Sequence, residues 1–223
     1  MKSNAELKSL AKENLTGKWL TAIVVSVIAW ILTDASTGNS GKETIEYVWR
    51  NGEYIRTLVS QNDSNSMFSL IAFIVGGPIN YGLAAFFLKL SRNQESNFAE
   101  LFSGFHYFWK NFVLNFFIII FTILWFLLLI IPGIIAILRY SMAYYIMNDN
   151  PELRPLEAIE MSKKMMYGHK VRLLLLWLSF IGWFLLGIIT FGIGFLYALP
   201  YYNAARANFY EDIKYNYSHN SAY

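Results

Sequence analysis

The sequence predicts an all-α protein with six membrane-spanning helices. Two compositional features support this prediction: 56% of the 223 residues are hydrophobic, and only 15% are charged. Soluble domains carry about 25% charged residues, and a soluble domain of this length has too small an interior to bury the surplus of apolar side chains. The third observation is a series of apolar stretches that approach the length of about 20 residues that a helix needs to cross the hydrocarbon core.

The predicted spans follow one another with short breaks. Lys18 can snorkel from the start of the first span, which is slightly short. Pro132 and Gly133 predict a turn after the third span, because proline ends helices and glycine accepts tight turns. The stretch 190–194, which contains two glycines, predicts the turn after the fifth span. The six predicted spans are residues 19–33, 67–88, 112–131, 134–147, 173–189 and 195–209.

The distribution of basic residues predicts the orientation in the membrane. If the spans alternate, 14 lysines and arginines fall on the side that holds both termini, and three fall on the opposite side. Positively charged residues stay on the cytoplasmic side of membranes. We therefore expect a multi-pass protein of the cell membrane with both termini in the cytoplasm. Its basic cytoplasmic segments should contact anionic lipids, and this pattern does not indicate nucleic-acid binding.

Residues 34–66 form the one sizeable segment predicted on the extracytoplasmic side. Within this insert, the dipeptide Asn51-Gly52 favours a two-residue β-hairpin turn between two stretches rich in β-formers. The corresponding register places Trp49 opposite Tyr54. The competing interpretation is an amphipathic helix over the same residues.

Short amphipathic helices are predicted on the cytoplasmic side, each leading into a span. Ser3 and Glu6 have the spacing of a capping box, as do Asn97 and Glu100. Pro155 suits the first position of a third helix. Helices of this kind lie in the membrane interface.

These units align with one another, which predicts three repeats of an interfacial helix followed by a transmembrane hairpin. Gly17 aligns with Gly168 at the end of the interfacial helix. The second spans align at Tyr81, Tyr140 and Tyr201. The alternative is that aromatic, alanine-rich membrane helices align by chance.

Polar residues within the predicted spans provide the candidate functional site, because ionisable groups inside a membrane are costly and usually mark function. Arg139 lies about seven residues into the fourth span, which corresponds to a depth of roughly 10 Å. If the second spans face one another, the polar residues line one cavity. The alternative is that Arg139 is a structural tie between helices. The candidate residues are Asn80, Tyr81, Arg139, Tyr140, Asn203 and Arg206.

Other motifs give no indication of catalysis. Asp149 and the acidic residues Glu152, Glu157 and Glu160 that follow it are better explained as a solvated helix face than as a pair of catalytic carboxylates. Pro78 predicts either a simple kink or a broken span of the kind found at transporter sites. The chain contains no cysteine, which excludes disulfides and thiolate metal sites, and the sequence predicts no metal and no cofactor.

These observations favour a non-enzymatic scaffold or accessory module of the cell envelope. The alternative is a transporter or flippase for an anionic solute or lipid headgroup, which would use the polar cavity.

A set of motifs spread along the chain remains. It consists of the stretch from Leu7-Lys8 to Gly17, Arg139-Tyr140-Ser141, Asn148-Asp149-Asn150-Pro151, Glu157-Ala158-Ile159, Ser162-Lys163, Met166-x-Gly168, Ser179-Phe180-Ile181-Gly182-Trp183 and Pro200-Tyr201. These motifs resemble those of a family of bacterial membrane proteins catalogued as domain of unknown function 975. The resemblance covers nearly the whole chain except residues 34–66, and it implies a six-helix membrane protein without implying any reaction. The chain is more weakly similar to the membrane portion of some glycerophosphodiester phosphodiesterases.

Overall fold

The computed structural model describes residues 1–33, 43–50, 53–60 and 63–220, and most of them are helical. One β-hairpin interrupts the helices near the N-terminus, and a 3₁₀ helix, Phe98–Tyr107, precedes α4. The elements in chain order are α1 Asn4–Leu15, α2 Trp19–Thr33, β1 Glu43–Arg50, β2 Glu53–Ser60, α3 Asp63–Ser91, α4 Phe108–Leu128, α5 Ile130–Tyr140, α6 Ala143–Asp149, α7 Pro155–Met165, α8 Lys170–Leu178, α9 Ile181–Ile189 and α10 Ile193–Asn220.

Several helical stretches are long and apolar enough to cross a membrane. By length and composition, four stretches of the described chain meet this requirement, or up to five if α1 and α2, which are bent by 105° relative to one another, count as one span. Polar residues such as Asn203 and Arg206 interrupt the apolar half of α10, where the sixth span is predicted. The six-span arrangement therefore remains a prediction. The four stretches are Ser69–Ser91, Phe98–Leu128, Ile130–Asp149 and Lys170–Ile189.

The turn between α4 and α5 lies earlier than the sequence predicts. Helix α4 ends at Leu128, and Leu129 is extended with φ −165° and ψ 155°. Pro132 then lies in the first turn of α5, where its missing N–H has no helical acceptor to lose. The predicted turn at Pro132 and Gly133 is therefore wrong. Gly133 instead permits close packing of the two helices, because a Cβ there would lie 2.5 Å from the ring of Phe126.

The interfacial helices follow their predicted start signals to different extents. The Ser3–Glu6 capping box forms, and Pro155 is the first residue of α7. Asn97 caps its helix through the N–H of Ala99, but Glu100 turns away to pair with a lysine at the end of α3. The second predicted capping box is therefore incomplete, and the segment that follows it is a 3₁₀ helix rather than an α-helix.

Two glycines that the repeat alignment matches have the same backbone conformation. Gly17, between α1 and α2, has φ +75°, and Gly168, between α7 and α8, has φ +79°. This left-handed region favours glycine. The two connections thus resemble one another locally, whereas the threefold repeat of the whole chain stays a prediction.

Strands β1 and β2 pair in antiparallel fashion, with Trp49 opposite Tyr54 and Arg50 opposite Glu53. This is the register that a two-residue turn requires. The residues form strands, so the competing prediction of an amphipathic helix is wrong. The turn residues themselves and residues 34–42, 61 and 62 of the predicted insert lie outside the residues that the structure describes, whereas residues 63–66 form the start of α3.

Helix α3 is continuous through Pro78, so the alternative of a broken span at that residue is wrong. Its C-terminal half packs against the 3₁₀ helix through glycines. A Cβ on Gly82 would lie 1.9 Å from the carbonyl oxygen of Leu101, and a Cβ on Gly104 would lie 2.1 Å from that of Pro78. Small residues allow helix backbones to approach this closely, and the contact fixes the position of α3, whose opposite face carries Asn80.

Candidate functional site

Asp149, at the C-terminal end of α6, is the centre of an ion-pair network. Its side chain is only 8% exposed, and both carboxylate oxygens accept hydrogen bonds. Arg92 Nη2 donates to Oδ1 at 2.7 Å. Lys214 Nζ and the Tyr210 hydroxyl donate to Oδ2 at 2.6 and 2.7 Å. Glu211 also accepts from Arg92, at 2.7 Å. The prediction that Asp149 belongs to a solvated surface is therefore wrong, because the fold brings α3 and α10 against the end of α6.

The other acidic residues of this region do lie on the surface. Glu157 accepts a hydrogen bond from the backbone N–H of Arg154 at 2.8 Å and so caps α7. Glu160 pairs with Lys164 at 2.9 Å, and this ammonium group lowers the pKa of the Glu160 carboxyl. The solvated helix face that the sequence predicts is thus found on α7.

A second ion pair ties the N-terminus to the same end of the molecule. Arg172 at the start of α8 donates to Asp212 of α10 at 2.6 Å, and the backbone N–H of Lys2 donates to the same carboxylate at 3.1 Å. Together with the Asp149 network, this pair joins the N-terminus, the ends of α3 and α6, the start of α8 and the C-terminal half of α10. We call this region the charged end.

A cavity of about 520 Å³ lies between α4, α5, α8 and α10. We call it the central cavity. Its apolar walls include Ile118, Ile134, Ile137, Leu173, Leu174 and Trp177. Its polar lining residues include Tyr140, Ser141, Tyr144, Tyr202 and Arg206. The arrangement suits a molecule that is apolar over most of its length and polar at one end.

A smaller cavity of about 220 Å³, which we call the polar recess, adjoins the central cavity, and both are lined by Ile118, Tyr144 and Arg206. The structure thus brings together three of the candidate residues, Asn80, Asn203 and Arg206. The polar residues of the recess are Asn80, Asn115, Tyr144, Tyr145, Asn203 and Arg206.

Arg206 carries a charge that no carboxylate neutralises within the part of the chain that the structure describes. Its Nη2 donates to the carbonyl oxygen of Ser141, and the guanidinium carbon lies 5.6 Å from the ring centroid of Tyr145. Its Nε is buried and has no hydrogen-bond partner. A donor that is buried and unsatisfied costs about 1–3 kcal/mol, and more when it is charged. Arg206 therefore places an uncompensated positive charge at the polar recess.

Arg139 does not join this group, which corrects the predicted cluster. It lies in a separate groove with Lys163, Lys164, Tyr167 and Lys170. Consecutive residues of an α-helix point about 100° apart. Arg139 and Tyr140 therefore point to different sides of α5, and Tyr140 lines the central cavity. The Ser162 hydroxyl of α7 donates to the Arg139 carbonyl at 2.7 Å and holds α7 against this part of α5.

The two candidate tyrosines are buried and have packing partners. Tyr81 packs near Tyr107, with ring centroids 6.4 Å apart. Tyr140 lies 6.2 Å from the ring of Phe121, and Lys163 lies 5.6 Å from the Tyr140 ring centroid. Neither tyrosine lines the polar recess. Tyr140 still contributes to the wall of the central cavity.

Sequence reasoning missed Asn115 and Tyr144. The Tyr144 hydroxyl donates to Asn115 Oδ1 at 2.8 Å, and Asn115 Nδ2 donates to the carbonyl of Phe73 at 3.4 Å. An asparagine within the otherwise apolar third span was a signal that could have identified this position. Among the described residues, no group of three or more His, Asp and Glu side chains is placed to hold a metal ion.

Comparisons with known proteins give one finding. The model of a family described as protein of unknown function, DUF975, matches residues 1–138 and 116–217. No curated protein and no solved structure matches the chain, so the weaker similarity to glycerophosphodiester phosphodiesterases is not shown. Because the family match extends over nearly the whole chain, the protein belongs to the DUF975 family.

Proposed function

We propose that the chain is a multi-pass protein of the cell membrane that binds an anionic amphiphile in the central cavity. It would act as a carrier or flippase and would catalyse no reaction. The observation that carries this proposal is the charge of Arg206, which lies at an apolar cavity of about 520 Å³ and has no carboxylate partner among the described residues. Uncompensated ionisable groups in membrane proteins usually mark a ligand pathway.

The shape and chemistry of the central cavity support an amphiphile rather than a polar solute. Isoleucine, leucine and tryptophan side chains line most of it, and such walls favour an alkyl chain. Arg206 lines the cavity, and its guanidinium group makes one hydrogen bond within the described chain, from Nη2 to the Ser141 carbonyl. A guanidinium group binds carboxylate and phosphate oxygens with strong, directional hydrogen bonds, so either headgroup chemistry fits this end of the cavity.

Exposed apolar side chains support insertion in the membrane. Around the turn between α4 and α5, Leu127 is 84% exposed and Ile131 is 72% exposed. The proposed spans are α2, α3, α4, α5 with α6, α8 with α9, and the first half of α10, arranged as three repeats. The charged end would face the cytoplasm, in agreement with the retention of basic residues on that side, and would contact anionic lipids.

Labelling of single cysteines tests this topology, because the chain contains no cysteine of its own. Phe191, in the turn between α9 and α10, is fully exposed, and Ser218 lies near the C-terminus. In intact cells, a membrane-impermeant maleimide should label Phe191→Cys and should label Ser218→Cys only after permeabilisation. Labelling of both variants in intact cells, or the reverse pattern, would contradict the proposed orientation.

Native mass spectrometry of the protein extracted in mild detergent tests amphiphile binding. Arg206→Gln removes the charge from the cavity, and Arg154→Gln removes a charge from a side chain that is 85% exposed. The wild type and Arg154→Gln should retain an anionic amphiphile, whereas Arg206→Gln should lose it while remaining folded. The proposal fails if Arg206→Gln retains the same molecule as the wild type.

The second candidate function is the accessory module, in which Arg206 serves only to hold the bundle together. Its hydrogen bond to the Ser141 carbonyl favours this role, because it ties α10 to the break between α5 and α6. In this case the wild type would carry no amphiphile, and Arg206→Gln would lower the amount of folded protein.

A further inference from the structure

The groove that holds Arg139 has a volume of about 460 Å³ and is lined by four cations and one tyrosine. We call it the basic groove. Its cations come from three separate segments: Arg139 from α5, Lys163 and Lys164 from α7, and Lys170 from the start of α8. Three helices that are separate in the sequence therefore contribute cations to one groove.

The cations of the basic groove have few partners of opposite charge. The side chains of Arg139 and Lys170 form no ion pair and no hydrogen bond with the rest of the described chain. Lys163 lies over the rings of Tyr140 and Phe121, at 5.6 and 5.7 Å. Of these four cations, Lys164 is the one that pairs with a carboxylate among residues that the structure describes, the exposed Glu160. The groove thus holds an excess of positive charge.

Ser162 fixes the position of the lysines relative to Arg139. Its hydroxyl donates to the Arg139 carbonyl at 2.7 Å and accepts from the Met142 N–H at 3.2 Å. Both hydrogen bonds involve backbone groups at the break between α5 and α6. A substitution of the Arg139 side chain should therefore leave α7 in place. Lys163 and Lys164, the next residues of α7, are consequently kept beside the groove.

An apolar groove of about 440 Å³ runs between α5 and α8 and shares Lys170 with the basic groove. Its walls are formed by Ile131, Ile134, Ile135, Leu138, Val171 and Leu174. The two grooves together present a cluster of cations beside an apolar groove.

We infer that the two grooves form one binding site for an anionic phospholipid, with its phosphate among the cations of the basic groove and an acyl chain in the apolar groove. Free phosphate would use the cations alone and would leave the apolar walls without a function. The inference rests on the proposed insertion in the membrane. The apolar groove of this site shares Ile134, Leu138 and Leu174 with the central cavity. The polar groups of the site are separate, since Arg206 of α10 lines neither groove.

Lipid binding by the full chain in phosphatidylcholine nanodiscs, with added phosphatidylglycerol, tests this inference. Arg139→Gln combined with Lys170→Gln should weaken binding of one phosphatidylglycerol about 30-fold, at about 1 kcal/mol for each removed charge. The charge-matched control combines Lys12→Gln with Arg154→Gln, two exposed positions on the same predicted side of the membrane, and should bind this lipid as the wild type does. Equal losses of phosphatidylglycerol affinity in both double variants would overturn the inference, because they would reflect a general attraction of anionic lipid to the basic surface.

A second pair of variants tests the apolar groove. Val171→Trp should fill it without a change in charge, whereas Leu185→Trp places the same side chain at an exposed position of α9. Val171→Trp should lower phosphatidylglycerol binding at least as strongly as the double charge variant, and Leu185→Trp should leave it unchanged. Displacement of the lipid by inorganic phosphate alone, or equal retention of phosphatidylcholine, would contradict a phospholipid site.

The number of bound lipids separates this site from the central cavity. Arg206→Gln should leave the phosphatidylglycerol of the grooves in place, and the double variant at Arg139 and Lys170 should leave the amphiphile of the central cavity in place. If both sets of variants lose the same single lipid, the separate site is overturned. A failure of the cysteine-labelling pattern would instead contradict membrane insertion itself.

Discussion

Two arginines of the molecule, Arg92 at the charged end and Arg206 at the central cavity, differ in how their charge is balanced. Arg92 donates to the carboxylates of Asp149 and Glu211, both at 2.7 Å. Arg206 has a backbone carbonyl and an aromatic ring as partners. The comparison indicates that the ion pairs around Asp149 form a closed structural network, because Arg92, Glu211 and Lys214 each have a counterpart of opposite charge among the described residues. The central cavity lacks an anion, and a ligand can supply it.

The largest effect is expected from Asp149→Asn at the charged end. This change leaves Arg92 and Lys214 close together without the carboxylate between them, and removal of one partner of a buried ion pair typically costs about 3–5 kcal/mol. The free energy of unfolding, measured by titration with a denaturing detergent, should fall by this order.

Glu160→Gln is the control for that experiment, because it also removes a carboxylate from an ion pair but on an exposed helix face. It should leave the unfolding transition unchanged. If both variants unfold at the same detergent concentration, the charged end is not the structural network described above.

A smaller loss of stability is expected from Gly82→Ala, which acts on the contact between α3 and the 3₁₀ helix. The added methyl group would meet the carbonyl oxygen of Leu101 at 1.9 Å, and overpacking of this kind costs about 1–3 kcal/mol. Gly182→Ala is the matched control, since nothing lies within 4 Å of a Cβ at that position. Thermal unfolding should separate the two variants, and an equal melting temperature would show that the contact between α3 and the 3₁₀ helix is not tight.

The smallest loss of stability is expected from Arg206→Gln in ligand-free protein. The change removes the single hydrogen bond from Nη2 to the Ser141 carbonyl, so it should cost about 1 kcal/mol, the value of one hydrogen bond. A small loss of stability in Arg206→Gln and a large loss in Asp149→Asn would distinguish a ligand-binding site at Arg206 from a network around Asp149 that stabilises the fold. A loss as large as that of Asp149→Asn would favour the accessory module.

Local sequence signals predicted most of the helices of this fold. The bounds of α2, the capping box at Ser3 and the helix start at Pro155 agree with the structure, because each depends on hydrophobicity or on hydrogen bonds within a few residues. The turn at Pro132 was misplaced for a local reason as well: proline is tolerated in a first helical turn, so it does not by itself mark where the preceding helix ends.

The candidate site was predicted in part, since Asn80, Asn203 and Arg206 meet in the polar recess. Arg139 was wrongly assigned to it, because the side of α5 that it faces depends on how α7 packs, and no local pattern contains that information. The partners of Asp149 are likewise distant in sequence: Arg92 precedes it by 57 residues and Lys214 follows it by 65. Contacts over such separations follow from the tertiary structure alone.

The most direct test of the central claim is the melting temperature of the wild type and of Arg206→Gln during titration with a single-chain anionic amphiphile such as lysophosphatidylglycerol. A ligand that binds the folded state at about 100 times its Kd adds about 2.7 kcal/mol of stability. The basic groove is intact in both proteins, so any amphiphile bound there should raise the two melting temperatures equally. We expect the melting temperature of the wild type to rise further than that of Arg206→Gln. Equal rises in the two proteins would contradict the assignment of Arg206 to an anion site.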